Sequence, residues 1–152
     1  SLWLYVFLPP AVMGNLRALV WFGVWVGAMC LFCLALFWWF PTQTPLVHMD
    51  WSLYPGLAVV KGVDAAGNAC PSLHVASAVF SLCWLHRIVA QLRAPRVLQW
   101  LSAVQCVAIV WSTMATLQHV ALDVFAGVAV GLVFAAASLA HVKNTAEPTA
   151  AS

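Results

Sequence analysis

The sequence predicts an all-α protein, a polytopic bundle of membrane-spanning helices. Three observations carry that prediction. Hydrophobic residues make up 64% of the chain and charged ones 7%, against roughly 45–50% apolar in an ordinary soluble domain. Mean hydropathy is +0.97. The 152 residues have room for one domain, whose interior cannot hide so much apolar surface. Finally, apolar runs of about spanning length recur along the chain, divided by polar punctuation.

The first run, Leu2 to Met13, is too short to span and lacks the basic start and cleavage-like end of a signal peptide. It reads as the remainder of a helix truncated upstream, so about five helical segments remain of a six-helix core. Ala18 to Phe40 follows, 23 residues without a charge and long enough for a tilted span. Its Gly23-x-x-x-Gly27 is a small-residue notch suited to close helix contact. From Pro41 to Leu73 runs a polar connection of 33 residues with four of the eight prolines, Lys61 and two aspartates. Connections this long in compact folds are usually functional or disordered.

A third span is expected from His74 to Ala90, then the link "QLRAPR" and a fourth span from Val97 to Thr113. The short turn "STMATLQ" leads to a last span, His119 to Val142, which carries Gly127-x-x-x-Gly131. Residues 1–142 thus form a single transmembrane domain and 143–152 a disordered tail.

Charge sets the orientation. With alternating spans, Arg17, Arg87, Arg93, Arg96 and Lys143 all fall on one side, which the positive-inside rule makes cytoplasmic. The long connection and the short turn then face outward with only Lys61 between them. Tryptophans fit two interfacial belts, Trp38, Trp39, Trp51 and Trp111 outside and Trp21 and Trp100 inside. The net charge of +2 comes from six dispersed basic residues, so no patch suggests nucleic acid. Cys30-x-x-Cys33 lies in an apolar run and reads as membrane packing rather than a redox pair. Of the five cysteines only Cys70 sits in a polar loop.

Two polar clusters meet at the outer face, "NACPSLH" before the third span and "STMATLQHVALD" at the fifth. Each puts a histidine near a helix N-terminus, where unpaired N–H groups and the helix dipole favour an anion such as phosphate. Ser72 adds a hydroxyl donor, and Pro71 suits the turn. His119 and Asp123 are four residues apart and share a helix face. A carboxylate accepting from one ring nitrogen fixes the tautomer and leaves the other nitrogen as nucleophile or base. An ionisable group inside a span is costly and marks function by default. The other histidines invite plainer readings: His86 and His141 as helix-packing contacts, His48 as a solvated loop residue. Arg87, Arg93 and Arg96 read as topogenic charges, and Asn68 as a turn residue. Lys61 divides evenly between a solvated charge and a phosphate contact.

These clusters resemble the signature of the type 2 phosphatidic acid phosphatase superfamily of membrane lipid phosphatases and phosphotransferases. The family's P-S-G-H is matched by Pro71, Ser72, Leu73 and His74, and its S-R-x5-H-x3-D by Ser112, Thr113, His119 and Asp123 with the spacing intact. Leu73 thus replaces a glycine and Thr113 an arginine, and the first motif, K-x6-R-P, is not recognisable. The variants look most like the inositol phosphorylceramide synthase-like branch. The resemblance implies that His119 attacks phosphorus, Asp123 orients it and His74 protonates the leaving oxygen. It implies phosphate contacts from Ser72, Leu73, Lys61, Ser112 and Thr113. No metal or cofactor is implied, and the expected partners are a phospholipid or prenyl phosphate and the bilayer itself. The expected location is the plasma (inner) membrane, with the site on the outer, periplasmic side. Oligomeric state is left open. A second class is a catalytically impaired relative that binds lipid or a partner. A third, a bis-histidine haem or quinone protein, leaves Asp123 and the P-S-x-H turn without a role.

Overall fold

The computed structural model describes residues 2–41, 70–115 and 121–146. A 3-10 segment, Leu2–Phe7, leads into α1 (Leu8–Val12), α2 (Leu16–Trp39), α3 (Leu73–Gln91), α4 (Arg96–Ala115) and α5 (Ala121–Ala146). Among the described residues there is no strand, and α2 to α5 are each long and apolar enough to cross a membrane.

Local chemistry sets the boundaries. Pro9 lies in the first turn of α1, where a missing N–H costs nothing. Asn15 caps α2, its Oδ1 accepting from the Arg17 N–H at 2.8 Å. Ser72 caps α3 by accepting from the Val75 N–H at 3.4 Å. The far end of α3 closes with a Schellman pair, Arg93 N–H to Ala90 O at 3.2 Å and Ala94 N–H to Val89 O at 3.0 Å. That closure puts Arg93 in the left-handed region at φ 51, and Pro95 prevents the helix from continuing.

The hub is α3, with 56% of its apolar stretch buried against 17% for α2. It packs most extensively on α5, then on α4 and the N-terminal segment. Gly127 and Gly131 make the α3–α5 crossing close. A Cβ on Gly127 would stand 2.6 Å from the Ser72 carbonyl oxygen, and one on Gly131 2.6 Å from that of Ala76. The second small-residue notch therefore behaves as expected. The first does not: no described atom lies within 4 Å of a Cβ built on Gly23 or Gly27. On α2 the packing face is aromatic instead. Trp25 and Phe32 meet Phe134 of α5 at 6.1 and 5.6 Å. Gly23 and Gly27 lie two positions from Trp25 and so point roughly the other way.

At the arginine-bearing end, Ser138 ties three helices together. The Trp84 indole N–H donates to its hydroxyl at 3.0 Å, and the Trp21 N–H to its carbonyl at 3.2 Å. His86 pairs with the Gln99 carbonyl at 3.2 Å, joining α3 to α4. His141 stacks on Trp21 at 4.5 Å. Both histidines thus take the packing roles read from the sequence. Trp38, Trp39, Trp100 and Trp111 are exposed as belt residues should be. Trp21, placed in the inner belt by its position, is turned instead onto α5. The last helix also outruns its expected end, continuing to Ala146; residues 143–146 contain no breaker before Pro148. His48, Trp51, Lys61, Asn68 and His119 lie outside the described residues, as does the rest of the tail.

Candidate active site

The turn before α3 is docked on the first turn of α5. Ser72 is fully buried. Its N–H donates to the Asp123 carbonyl at 3.1 Å, and its own carbonyl accepts from the Ala76 N–H at 2.9 Å. Gly127, one turn beyond Asp123, permits this approach because a side chain there would strike the Ser72 carbonyl. The small residue in α5 is thus what brings Pro71–His74 beside Asp123.

Asp123 is 3% exposed and lies in the first turn of α5, where the helix dipole favours a negative charge. Its carboxylate is hydrogen-bonded by the Cys70 thiol. Burial first, then the neighbouring Asp123 charge and that hydrogen bond, push the Cys70 thiol above its ordinary range. Cys70 is the residue that sequence reasoning missed. Its position one step before the P-S-L-H turn was the available signal, but it carries no motif meaning.

Leu73 and His74 open α3, where backbone N–H groups lack intrahelical acceptors. His74 is half-buried, and its carbonyl accepts from the Ser77 hydroxyl at 3.1 Å. The Ser72 cap uses an oxygen lone pair, so its hydroxyl hydrogen is not consumed by that bond.

Ser112 and Thr113 behave differently. Each hydroxyl donates backward within α4, Ser112 to Ile109 O and Thr113 to Val110 O, both at 2.8 Å. Thr113 is also 4% exposed. Neither presents a hydrogen to a phosphate oxygen in this arrangement, so the phosphate contacts expected of them require each hydroxyl to leave its back-bond. The described arginines are at the other end of the bundle. Arg87 lies about 20 Å along α3 from His74, at 1.5 Å per residue.

The family model of the PAP2 superfamily matches residues 37–146. The chain belongs to the PAP2 superfamily. The match runs through both polar clusters and all of α3, α4 and α5. Comparisons with curated proteins and with solved structures gave no match. PAP2 membership supports a phosphoric ester phosphatase or phosphotransferase as the general activity, and the long apolar helices fit a multi-pass membrane protein.

Proposed function

We propose that this PAP2 protein removes or transfers the phosphoryl group of a lipid phosphate at the outer membrane face through a phosphohistidine. The observation that carries the reading is the docking of Ser72 on Asp123, which brings the P-S-L-H turn against the first turn of α5. His119 attacks phosphorus; a P–N bond forms as the bond to the leaving oxygen breaks. Asp123 holds the His119 ring in the tautomer with its attacking nitrogen unprotonated. His74 donates its proton to the leaving oxygen. Water or an acceptor hydroxyl then attacks phosphorus while His74 takes its proton, and the P–N bond breaks. Ser72 and the Leu73 N–H hold phosphate oxygens, joined by Lys61 from the long connection. The substrate is a phospholipid or prenyl phosphate, and the motif variants favour the inositol phosphorylceramide synthase-like branch. The site faces the periplasmic side of the inner membrane in a single domain over 1–142.

A second reading is favoured by the buried, back-bonded Thr113 at the motif arginine's position. The transition state spreads charge over three oxygens and calls for cationic or N–H partners. A chain short of them binds the phosphate without turning it over. Purified protein assayed on a panel of phosphatidate, prenyl diphosphate and phosphatidylinositol separates the two. Under the catalytic reading, phosphate release is vanadate-sensitive and disappears in His119→Ala. His74→Ala lowers it by about 10²–10⁴-fold, the usual worth of a general acid. Phosphate-dependent thermal stabilisation without turnover in the wild type selects the binding reading.

A further inference from the structure

The end of the bundle opposite Asp123 holds a second polar cavity that the proposed reaction does not use. It has a volume of about 660 Å³ and lies between the start of α2, the end of α3 and the end of α5. Arg17 and Arg87 line it, with Asn15, Gln91 and His141 around them and Trp21 and Trp84 forming an aromatic wall.

Its chemistry is one-sided. Among the described residues the lining holds two guanidinium groups and an imidazole but no carboxylate. Among the described residues the single acidic side chain is Asp123, most of the bundle away. Of the described residues, α2 brings Arg17 and α5 brings His141 to the same cavity as Arg87. Two guanidinium groups lining one cavity suit an anion, and a planar guanidinium takes phosphate oxygens in pairs. The cavity walls are also shaped for a lipid. Trp21 is held by Ser138 and His141, and Trp84 by Ser138, so the aromatic wall is rigid. Val12, Ile88 and Leu92 also line a neighbouring apolar cavity of about 730 Å³ between the N-terminal segment, α3 and α4. A guanidinium-lined cavity beside an apolar one suits the headgroup and an acyl chain of one phospholipid.

We propose that this cavity binds the phosphate headgroup of an anionic lipid in the leaflet opposite the catalytic face, with Arg17 and Arg87 as its phosphate ligands and the neighbouring apolar cavity taking an acyl chain. Basic pockets between membrane helices hold such headgroups, and each nearby cation adds a comparable increment of attraction.

The test reads lipid retention, not turnover, so its failure is distinguishable from failure of the catalytic reading. Native mass spectrometry of detergent-purified protein incubated with phosphatidylglycerol or phosphatidylcholine is expected to show preferential retention of phosphatidylglycerol. Arg17→Gln with Arg87→Gln lowers that retention by about tenfold or more, while Arg87→Lys, which keeps the charge, retains most of it. Helical circular dichroism and monodisperse elution verify that each variant is folded. His74→Ala, at the other end, leaves retention unchanged. Equal retention in wild type and the folded double variant overturns the proposal, as does loss in His74→Ala alone, which puts the lipid at the motif end. Displacement of the lipid by millimolar inorganic phosphate also overturns it, assigning the site to a soluble anion.

Discussion

Asp123 is the residue on which the site's electrostatics turn. It is a carboxylate buried in the first turn of a largely apolar helix, a costly placement without partners. One partner is now named: the Cys70 thiol hydrogen-bonds it. The thiol is a neutral donor, so it gives the carboxylate a hydrogen bond without a counter-charge. The same contact makes Cys70 unreactive. Burial and the Asp123 charge both disfavour the thiolate, so its pKa is raised and the nucleophilic form is scarce at neutral pH. Maleimide labelling of Cys70, followed by peptide mass spectrometry, is therefore expected to be slow at neutral pH and to accelerate only above the ordinary thiol range. Asp123→Asn removes the charge and speeds labelling at neutral pH several-fold. No acceleration would mean that burial alone holds the thiol.

The element that positions the site is the glycine notch of α5. Gly127→Ala drives a Cβ to 2.6 Å from the Ser72 carbonyl, a backbone atom fixed by its bond from Ala76, so the turn itself must shift. Overpacking of this kind costs about 1–3 kcal/mol, and here it falls on the Ser72–Asp123 docking. The expected result is a lower melting temperature together with loss of phosphate release. Gly23→Ala meets open space and gains up to about 1 kcal/mol from helix propensity, so its melting temperature holds or rises and activity is unchanged. The contrast marks what the sequence could convey. Span positions were legible to within two residues for α3 and α4, because length and apolarity decide them. Which glycine pair meets a neighbour was not, since x-x-x spacing puts two residues on one face without saying what stands opposite. Nor was the Cys70–Asp123 contact, which joins residues far apart in the chain through a helix crossing. The motif spacing singles out Ser72, His74 and Asp123 in the sequence, and the fold brings the Ser72 turn onto Asp123.

For the whole molecule the deciding property is the asymmetry of charge between its two ends. The described arginines, Arg17, Arg87, Arg93 and Arg96, gather at one end of the bundle, and the sequence puts Lys143 on the same side and Lys61 alone in the connection between α2 and α3. The antiparallel alternation of α2 to α5 puts the Ser72–Asp123 docking at the end away from the described arginines, and the positive-inside rule predicts that this end faces outward. On the proposed reading a substrate phosphate there meets helix N-termini, with the described arginines at the far end of the bundle. Orientation is thus a prediction about chemistry as well as topology. In intact cells a membrane-impermeant maleimide is expected to label Thr116→Cys, between α4 and α5, and to spare Arg93→Cys in the α3–α4 link. Because four arginines and a lysine stand against one lysine, replacing Arg87, Arg93 and Arg96 with glutamine leaves two cations against one. That triple variant should show mixed labelling at Thr116→Cys and a proportionate fall in activity at the outer surface. Labelling of Arg93→Cys in place of Thr116→Cys would turn the docked motifs to the cytoplasm and require a lipid substrate from the inner leaflet.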